Sequence, residues 1–394
     1  MSVQSAATQR SRGSVLTTAM WMIILCGAGI LTLNMGVRMA LGLFLDPVSL
    51  DFGWSKEVFS VAMGIQAIVW GLIQPFSAAF ADRYGTGKTL AIGGGAYAIS
   101  LYLMTISGTP GLFTLTSGVI MGLAIGTCGF PLVLGAVARA VPAEKRSLAL
   151  GIAGAGGSFG QFALPPLAGV LVTADGWVAT TIVLAVLAAL IIPLSFALRG
   201  KPDMGAAAAH IEQSLGQALK EAGTHRGNIL LNIGFFVCGF HVMFVGTHLP
   251  SYLNDLGFSA SVGGWAIGVI GFFNILGSLI AGWLGDTYKK KYLLTWIYLG
   301  RAVVFGLFFI APVTEMSVYL FAGAIGFLWL STVPLTGGLV GVMFGPRYMT
   351  TLFAIVMLSH QMGAFLGAAM GGWVFEATGS YDWMWILSII LGLV

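Results

Sequence analysis

Charge is what this sequence has least of. Lys, Arg, Asp and Glu make up 8% of its 394 residues, against roughly a quarter in soluble domains, and that rules out an ordinary soluble globular protein. The net charge of +4 is spread without a basic patch of the size nucleic acid requires, so no nucleic-acid partner is expected. Cysteine is scarcer still. Cys26, Cys128 and Cys238 fall inside apolar runs with no paired spacing, which leaves neither a disulfide framework nor a metal cluster. No phosphate-binding loop, zinc motif or nucleophile elbow occurs, and there is no room outside the apolar runs for a sensing domain. The chain is therefore read as neither enzyme nor receptor, with no cofactor and no metal. What is present is apolar surface: 57% hydrophobic residues and a mean hydropathy of +0.93 define an all-α polytopic membrane protein whose surroundings are the lipid bilayer.

Residues 1–15 are polar and carry Arg10 and Arg12. The apolar run after them is too long for a cleavable leader and lacks a small-residue cleavage site, so it is read as a retained first span. Apolar runs of about 20 residues place twelve helices near 17–45, 58–80, 89–107, 111–138, 147–173, 177–198, 227–253, 262–284, 292–312, 316–343, 349–375 and 382–394. The last is too short for ~30 Å of hydrocarbon at 1.5 Å per residue. The expectation is a sequence that stops inside its final helix, with a C-terminal tail beyond it.

With a cytoplasmic N terminus, fifteen of the eighteen basic residues fall on the inner side, including Arg83, Lys88, Arg139, Arg199, Lys289, Lys290, Lys291 and Arg347. The outer side keeps only Lys56, and Arg38 and Arg301 lie within spans. This positive-inside bias fits a multi-pass protein of a bacterial inner membrane. No acidic residue sits deep in a span: Asp46, Asp51, Glu57, Asp175, Asp255, Glu315, Glu376 and Asp382 fall outside or at the outer edge, and the rest lie inside.

The polar break at 199–226 divides the chain. The expected organisation is a cytoplasmic tail (1–15), a six-helix bundle (16–198), a cytoplasmic loop (199–226) whose Ala- and Gln-containing middle suits a surface helix, and a second six-helix bundle (227–394). The halves repeat. Gly64 and Gly268, Asp82 and Asp286, Gly122 and Gly326, and the pairs Trp54-Ser55 and Phe258-Ser259 share an offset of 204. Six helices per half keep both halves in one orientation, so two pseudo-symmetric bundles face each other across a central cavity.

Two equivalent loops follow helices 2 and 8: Ala81-Asp-Arg-Tyr-Gly-Thr-Gly-Lys88 and Gly285-Asp-Thr-Tyr-Lys-Lys-Lys291. The first, with Gly71 eleven residues before Asp82, resembles the signature loop of the major facilitator superfamily. Within it the chain is most similar to the monocarboxylate and oxalate/formate branch, through Gly53-Trp54-Ser55, Lys145 to Ser158, and Gly367 to Asp382. The resemblance implies the major facilitator fold, alternating access about a site near the midplane, and gating by Asp82, Arg83, Lys88 and Asp286. Helix 8, where that branch usually keeps an arginine, presents Asn274 here.

One charge inside a span demands explanation. Arg38 cannot shed its proton, and an Arg at the centre of a membrane helix costs about 3 kcal/mol on insertion scales. Asn34 one turn before it and Gly42 one turn after continue a polar, small-residue strip. Either Arg38 bonds backbone carbonyls at a broken helix or it receives an anion, and the planar fork favours a carboxylate. Applying the offset to Arg38 gives Val242, so His241 is expected opposite it, with His248 two turns outward on the same face. His360 and Gln361 lie near mid-span in helix 11, Ser158 and Gln161 in helix 5, and Trp70 is among the aromatic residues suited to the cavity wall. Arg301 suits either a helix-packing role or a second anion contact. With no deep carboxylate, proton coupling falls to His241, His248 or His360. The expected function is transport of a small organic anion, a mono- or dicarboxylate, with proton symport, by a monomer. Anion exchange and efflux of drugs or antibiotics are the alternatives. An exporter of cationic drugs would want a membrane-embedded carboxylate, and the chain has none.

Overall fold

The computed structural model describes residues 16–200, 215–344 and 349–393, all in helices and short connections. Arg10, Arg12, Lys201, Arg347 and half of the inter-bundle loop lie outside the described residues, which include a helix at Leu215–Thr224 within that loop. The helical segments are α1 (Thr18–Phe52), α2 (Lys56–Tyr84), α3 (Thr86–Thr105), α4 (Pro110–Ala140), α5 (148–175), α6 (177–198), α7 (Arg226–Asp255), α8 (Ala260–Thr287), α9 (Lys290–Ile310), α10 (Glu315–Phe344), α11 (Leu352–Thr378) and α12 (Asp382–Leu393). Nine stretches among the described residues are individually long and apolar enough to span a membrane. One of the nine, Leu148–Leu198, has 51 residues, about 76 Å of helix, more than twice the hydrocarbon thickness. It breaks at Gly176, whose φ of 81° suits a residue without Cβ, and so supplies α5 and α6.

Helix positions match the sequence reading to within a few residues, with one consequential exception. α1 does not end near residue 45. It tightens at Leu41–Phe44 and continues as Leu45–Phe52, because Pro47 falls in the first turn of that arm, where a missing N–H costs nothing. The extra arm carries Asp46 into the protein, where it is buried and not solvated.

The repeat is realised as packing. Gly53 and Gly257, 204 apart, both turn the chain with positive φ (68° and 88°), and Ser55 and Ser259 precede α2 and α8 with ψ of 153° and 155°. A Cβ on Gly122 would lie 2.8 Å from the Gln66 carbonyl, and one on Gly326 would lie 2.7 Å from the Ile270 carbonyl. Gly160 of α5 sits against the Thr32 carbonyl of α1, and Gly363 of α11 against the Phe236 carbonyl of α7. Backbones meet without intervening side chains, as membrane helices do when small residues line the seam. Apolar side chains then form two large cores, one mostly from residues 30–198 and one mostly from residues 222–385, and a smaller cluster around Ile24 and Val137.

Between the cores, α5 packs on α8 and α2 on α11. A Cβ on Gly264 would lie 2.6 Å from the Pro165 carbonyl, one on Gly268 2.9 Å from the Phe162 carbonyl and one on Gly64 3.0 Å from the Phe365 carbonyl. Further along the same stripes the contact is lost: Gly154 and Gly151 of α5 and Gly282 of α8 face no described atom within 4 Å. The halves therefore meet at the end carrying Lys56 and part toward the end carrying Arg83. Gly363→Ala should destabilise the protein by about 1–3 kcal/mol, as overpacking does, and Gly154→Ala should not. Thermal melting of the two purified variants checks this; equal melting points would refute the packing described.

Candidate functional site

Arg38 lies where α1 faces the opposite bundle. Its residue is 7% exposed. Nη2 is 3.1 Å from the Met243 sulfur, the guanidinium lies 4.6 Å from the Trp70 ring centroid, and Nε has no hydrogen-bond partner. Among the described residues every ion pair belongs to Lys56, so Arg38 has no carboxylate. A small cavity beside it is lined by Gln66, Met63, Val242, Met243, Gly246 and Thr247 among others, with ≈ 10 Å³ left, about the room one water needs. Buried and unpartnered around the same place are Gln66 Oε1, Trp70 Nε1 and both amide atoms of Gln361, whose side chain packs on Gly71, next to Trp70. Polar atoms left unpaired in a dry interior are costly. Of these residues, Gln66 lines the cavity with Arg38, and the Trp70 ring lies against the guanidinium.

The other expected site residues do not all join this cluster. Asn34 turns into its own bundle, donating to the Ile125 carbonyl (3.3 Å) and the Cys128 sulfur (3.0 Å), where the break in α4 near Gly129 frees helix-end carbonyls. His241 is not opposite Arg38. Val242 lines the cavity, and the neighbouring position, about 100° round the helix, points His241 at the Ser388 carbonyl (2.9 Å) and the Phe305 ring. His360 packs on Phe235 inside the same bundle. Asn274 bridges the bundles, reaching Ser158 at 3.3 Å and Gln161 at 3.4 Å and accepting from the Leu330 N–H at 3.1 Å.

Arg301 is fully buried and caps the broken α10. It donates to the Leu328 carbonyl at 2.8 Å, to the Trp329 carbonyl, and to Cys238 at 3.5 Å. Cations at helix C-termini are favoured by the dipole. The offset of 204 makes Arg301 the counterpart of Tyr97, another in-bundle residue that donates to the Asn34 carbonyl at 3.4 Å. Arg301 is thus a packing residue, away from the Arg38 cavity. Asp82, Arg83, Lys88 and Asp286 are exposed at the parted end, and none forms an ion pair among the described residues.

The sequence reading missed the device at the closed end. Lys56 Nζ lies 2.9 Å from Asp46, 2.7 Å from Asp255 and 2.8 Å from Ser251. Ser251 and Asn254 of α7 donate to Asp46 at 2.7 and 3.0 Å, Glu376 accepts the Lys56 backbone N–H at 2.8 Å, and Glu57 accepts from Trp373 at 3.0 Å. Each of these last four bonds crosses between the halves. The signal was present in the sequence: a lone cation on a side otherwise populated by carboxylates.

Two helical bundles latched at one end, parted at the other and enclosing an unpaired cation make a membrane carrier. The chain belongs to the Major Facilitator Superfamily, whose family model matches residues 24–351 and again 231–394, and it is a membrane transporter, not an enzyme. Its sequence is 25% identical to monocarboxylate transporter 13 of Bos taurus, over 92% of this chain and 84% of that protein. It is also 25% identical to the uncharacterized MFS-type transporter YcxA of Bacillus subtilis, over 86% and 84%. Among solved structures, a bacterial homolog of the human lysosomal transporter Spinster, inward-facing and unoccupied, superposes with a TM-score of 0.73 at 16% identity, covering 97% of this chain and 93% of that one. A D-xylose-proton symporter gives 0.71 at 16%, covering 95% and 96%.

Arg301→Ala should orphan the Leu328 and Trp329 carbonyls, costing about 1–3 kcal/mol for each group left unpaired. The purified variant should melt lower and still be stabilised by whatever ligand stabilises the parent. Loss of ligand response at unchanged stability would instead make Arg301 a ligand contact.

Proposed function

We propose that the protein carries a small organic anion, a mono- or dicarboxylate, across a bacterial inner membrane by alternating access, with protons moving alongside it. One observation carries the reading: Arg38 is buried in the contact between the halves, is always charged, and has no carboxylate of its own among the described residues. A carboxylate entering the cavity supplies that charge through the fork of the guanidinium. Met243 now holds the acceptor's place, and its flexible thioether can yield. Gln66, Trp70 and Gln361 then offer donors and acceptors for the rest of a small polar molecule. Likeness to monocarboxylate transporters supports the substrate class.

With the N terminus in the cytoplasm, the Lys56 end faces outward and the parted Arg83 end faces the cell. Asp82, Arg83, Lys88 and Asp286 then sit on the loops that come together when the inner end closes. Of the three histidines, His241 and His360 are turned into the C-terminal bundle, and His248 is the one joined by hydrogen bonds to the outer latch.

The test is thermal stabilisation of the purified protein by a panel of carboxylates at acidic and neutral pH, since a ligand specific to the folded state raises the melting temperature by mass action. One carboxylate should stabilise the parent, more strongly at acidic pH. Arg38→Ala should bind it about tenfold more weakly or worse, as loss of a charge-assisted pair implies, and Arg38→Lys should fall between. An Arg38→Ala protein with the parent's response would remove Arg38 from the site. Stabilisation by amphipathic drugs and by no anion would establish efflux instead.

A further inference from the structure

His248 is buried between α7 and α11, and its Nε2 lies 2.7 Å from the Ala368 carbonyl. A carbonyl only accepts, so Nε2 carries the proton and Nδ1 keeps its lone pair. That lone pair faces the Tyr381 hydroxyl at 3.3 Å. Tyr381 is 3.3 Å from Ser251 Oγ, and Ser251 donates to Asp46 at 2.7 Å. Inward, the next residue along α7 is Thr247, which lines the Arg38 cavity. A series of exchangeable groups thus joins the outer latch to His248, the residue next to Thr247 along α7.

We propose that the chain Asp46–Ser251–Tyr381–His248 passes the transported proton from the Lys56 end to His248, within the α7–α11 contact. The inference rests on the reading of the protein as a proton-coupled carrier of organic anions. The groups facing the chain are Lys56 from α2, Asp255 and Tyr252 from α7, Glu376 from α11 and Asp382 at the start of α12. Two carboxylates, Asp46 and Asp255, share the single Lys56 ammonium, so the latch has room for one more positive charge. Burial pushes the Tyr381 phenol well above its ordinary value, which keeps the hydroxyl protonated and makes it a conduit and not a store.

The step conserves protons throughout. While the Lys56 end is open, a proton from outside water forms an O–H bond on Asp46. As that end closes, Ser251 of the opposite half arrives beside Asp46, and the proton passes to Ser251 Oγ. The Ser251 proton passes to the Tyr381 oxygen, and the Tyr381 proton passes to His248 Nδ1. One O–H bond is lost at Asp46 and one N–H bond is gained at His248; Ser251 and Tyr381 end neutral. The products are a carboxylate held by Lys56 and an imidazolium one residue from the wall of the cavity where the anion meets Arg38.

The experiment is carboxylate-driven proton uptake into proteoliposomes, followed with an internal pH dye, beside carboxylate-for-carboxylate exchange, which needs no net proton movement. Tyr381→Phe removes one hydroxyl and should slow proton uptake roughly tenfold or more, the scale of a lost proton-transfer group, while exchange stays near the parent rate. His248→Gln, which removes the proton acceptor at the end of the chain, should do the same. Proton uptake unchanged in both variants overturns the proposal and leaves the carrier reading intact. Loss of exchange together with uptake in both makes the chain structural and also overturns it. A parent protein that moves carboxylate without protons, or moves none, overturns the proposal together with the coupled reading on which it stands.

Discussion

Lys56 places one ammonium between two carboxylates, 2.9 Å from Asp46 on its own half and 2.7 Å from Asp255 on the other. Exposed ion pairs are worth little, but here Asp46 is buried and Ser251 and Asn254 add hydrogen bonds from the opposite bundle. The consequence is mechanical. Each half is a closely packed body whose backbones meet glycine to carbonyl, and packed cores shift between discrete arrangements instead of deforming smoothly. Fixing the two bodies at the Lys56 end while glycine stripes guide α5 along α8 and α2 along α11 leaves rotation as the available motion. The separation at Gly151, Gly154 and Gly282 is the other side of the closure at Lys56.

Rigid halves need their irregular places pinned, and the two bundles pin them at equivalent positions with different chemistry. In the first, Asn34 ties the Ile125 carbonyl and Cys128 at the break in α4. In the second, 204 residues on, Cys238 meets the Trp329 carbonyl at 3.9 Å and Thr332 at 3.4 Å at the break in α10. Tyr97 supports the first arrangement and Arg301 the second. A phenol needs no counter-charge, and a guanidinium does. The terminal carbonyls of α10 provide it through the helix dipole, and this arginine sits in the bundle interior without a carboxylate among the described residues. Arg38, by contrast, finds a thioether and an indole face.

The global pattern was legible in the sequence because it rests on counting: apolar run lengths give the helices, and a constant offset gives the repeat. Arg38 was legible because a charge within a span is conspicuous against 8% charged residues. Side-chain direction was not, since one residue of error turns a helix position by about 100°, enough to send His241 into the bundle while Val242 lines the cavity. The same offset, applied to Arg301, leads to Tyr97 and so to its packing role; that signal was available. Asp46 was hidden by Pro47, which resembles a helix end but occupies a first turn where proline is tolerated. The Lys56 latch depends on helix ends that are far apart in sequence, and no local pattern brings residues 46, 56 and 255 together.

The two uncompensated charges have opposite sign and lie on opposite sides of the closed contact: a guanidinium without a carboxylate in the cavity, and a surplus carboxylate at the latch. An anion alone corrects the first and a proton alone corrects the second. Moving either by itself through the membrane would couple it to the potential at about 2.3 kcal/mol per charge per 100 mV, opposite in sign for the two, whereas a monocarboxylate and a proton together carry no net charge. A carrier that fills both deficits at once is indifferent to membrane potential, and its direction is set by the product of the anion and proton gradients. Charge balance at two fixed points is thus sufficient to couple the fluxes, provided the proton can reach the anion, and His248, beside Thr247 in the cavity wall, is where the hydrogen-bonded path between the two points ends.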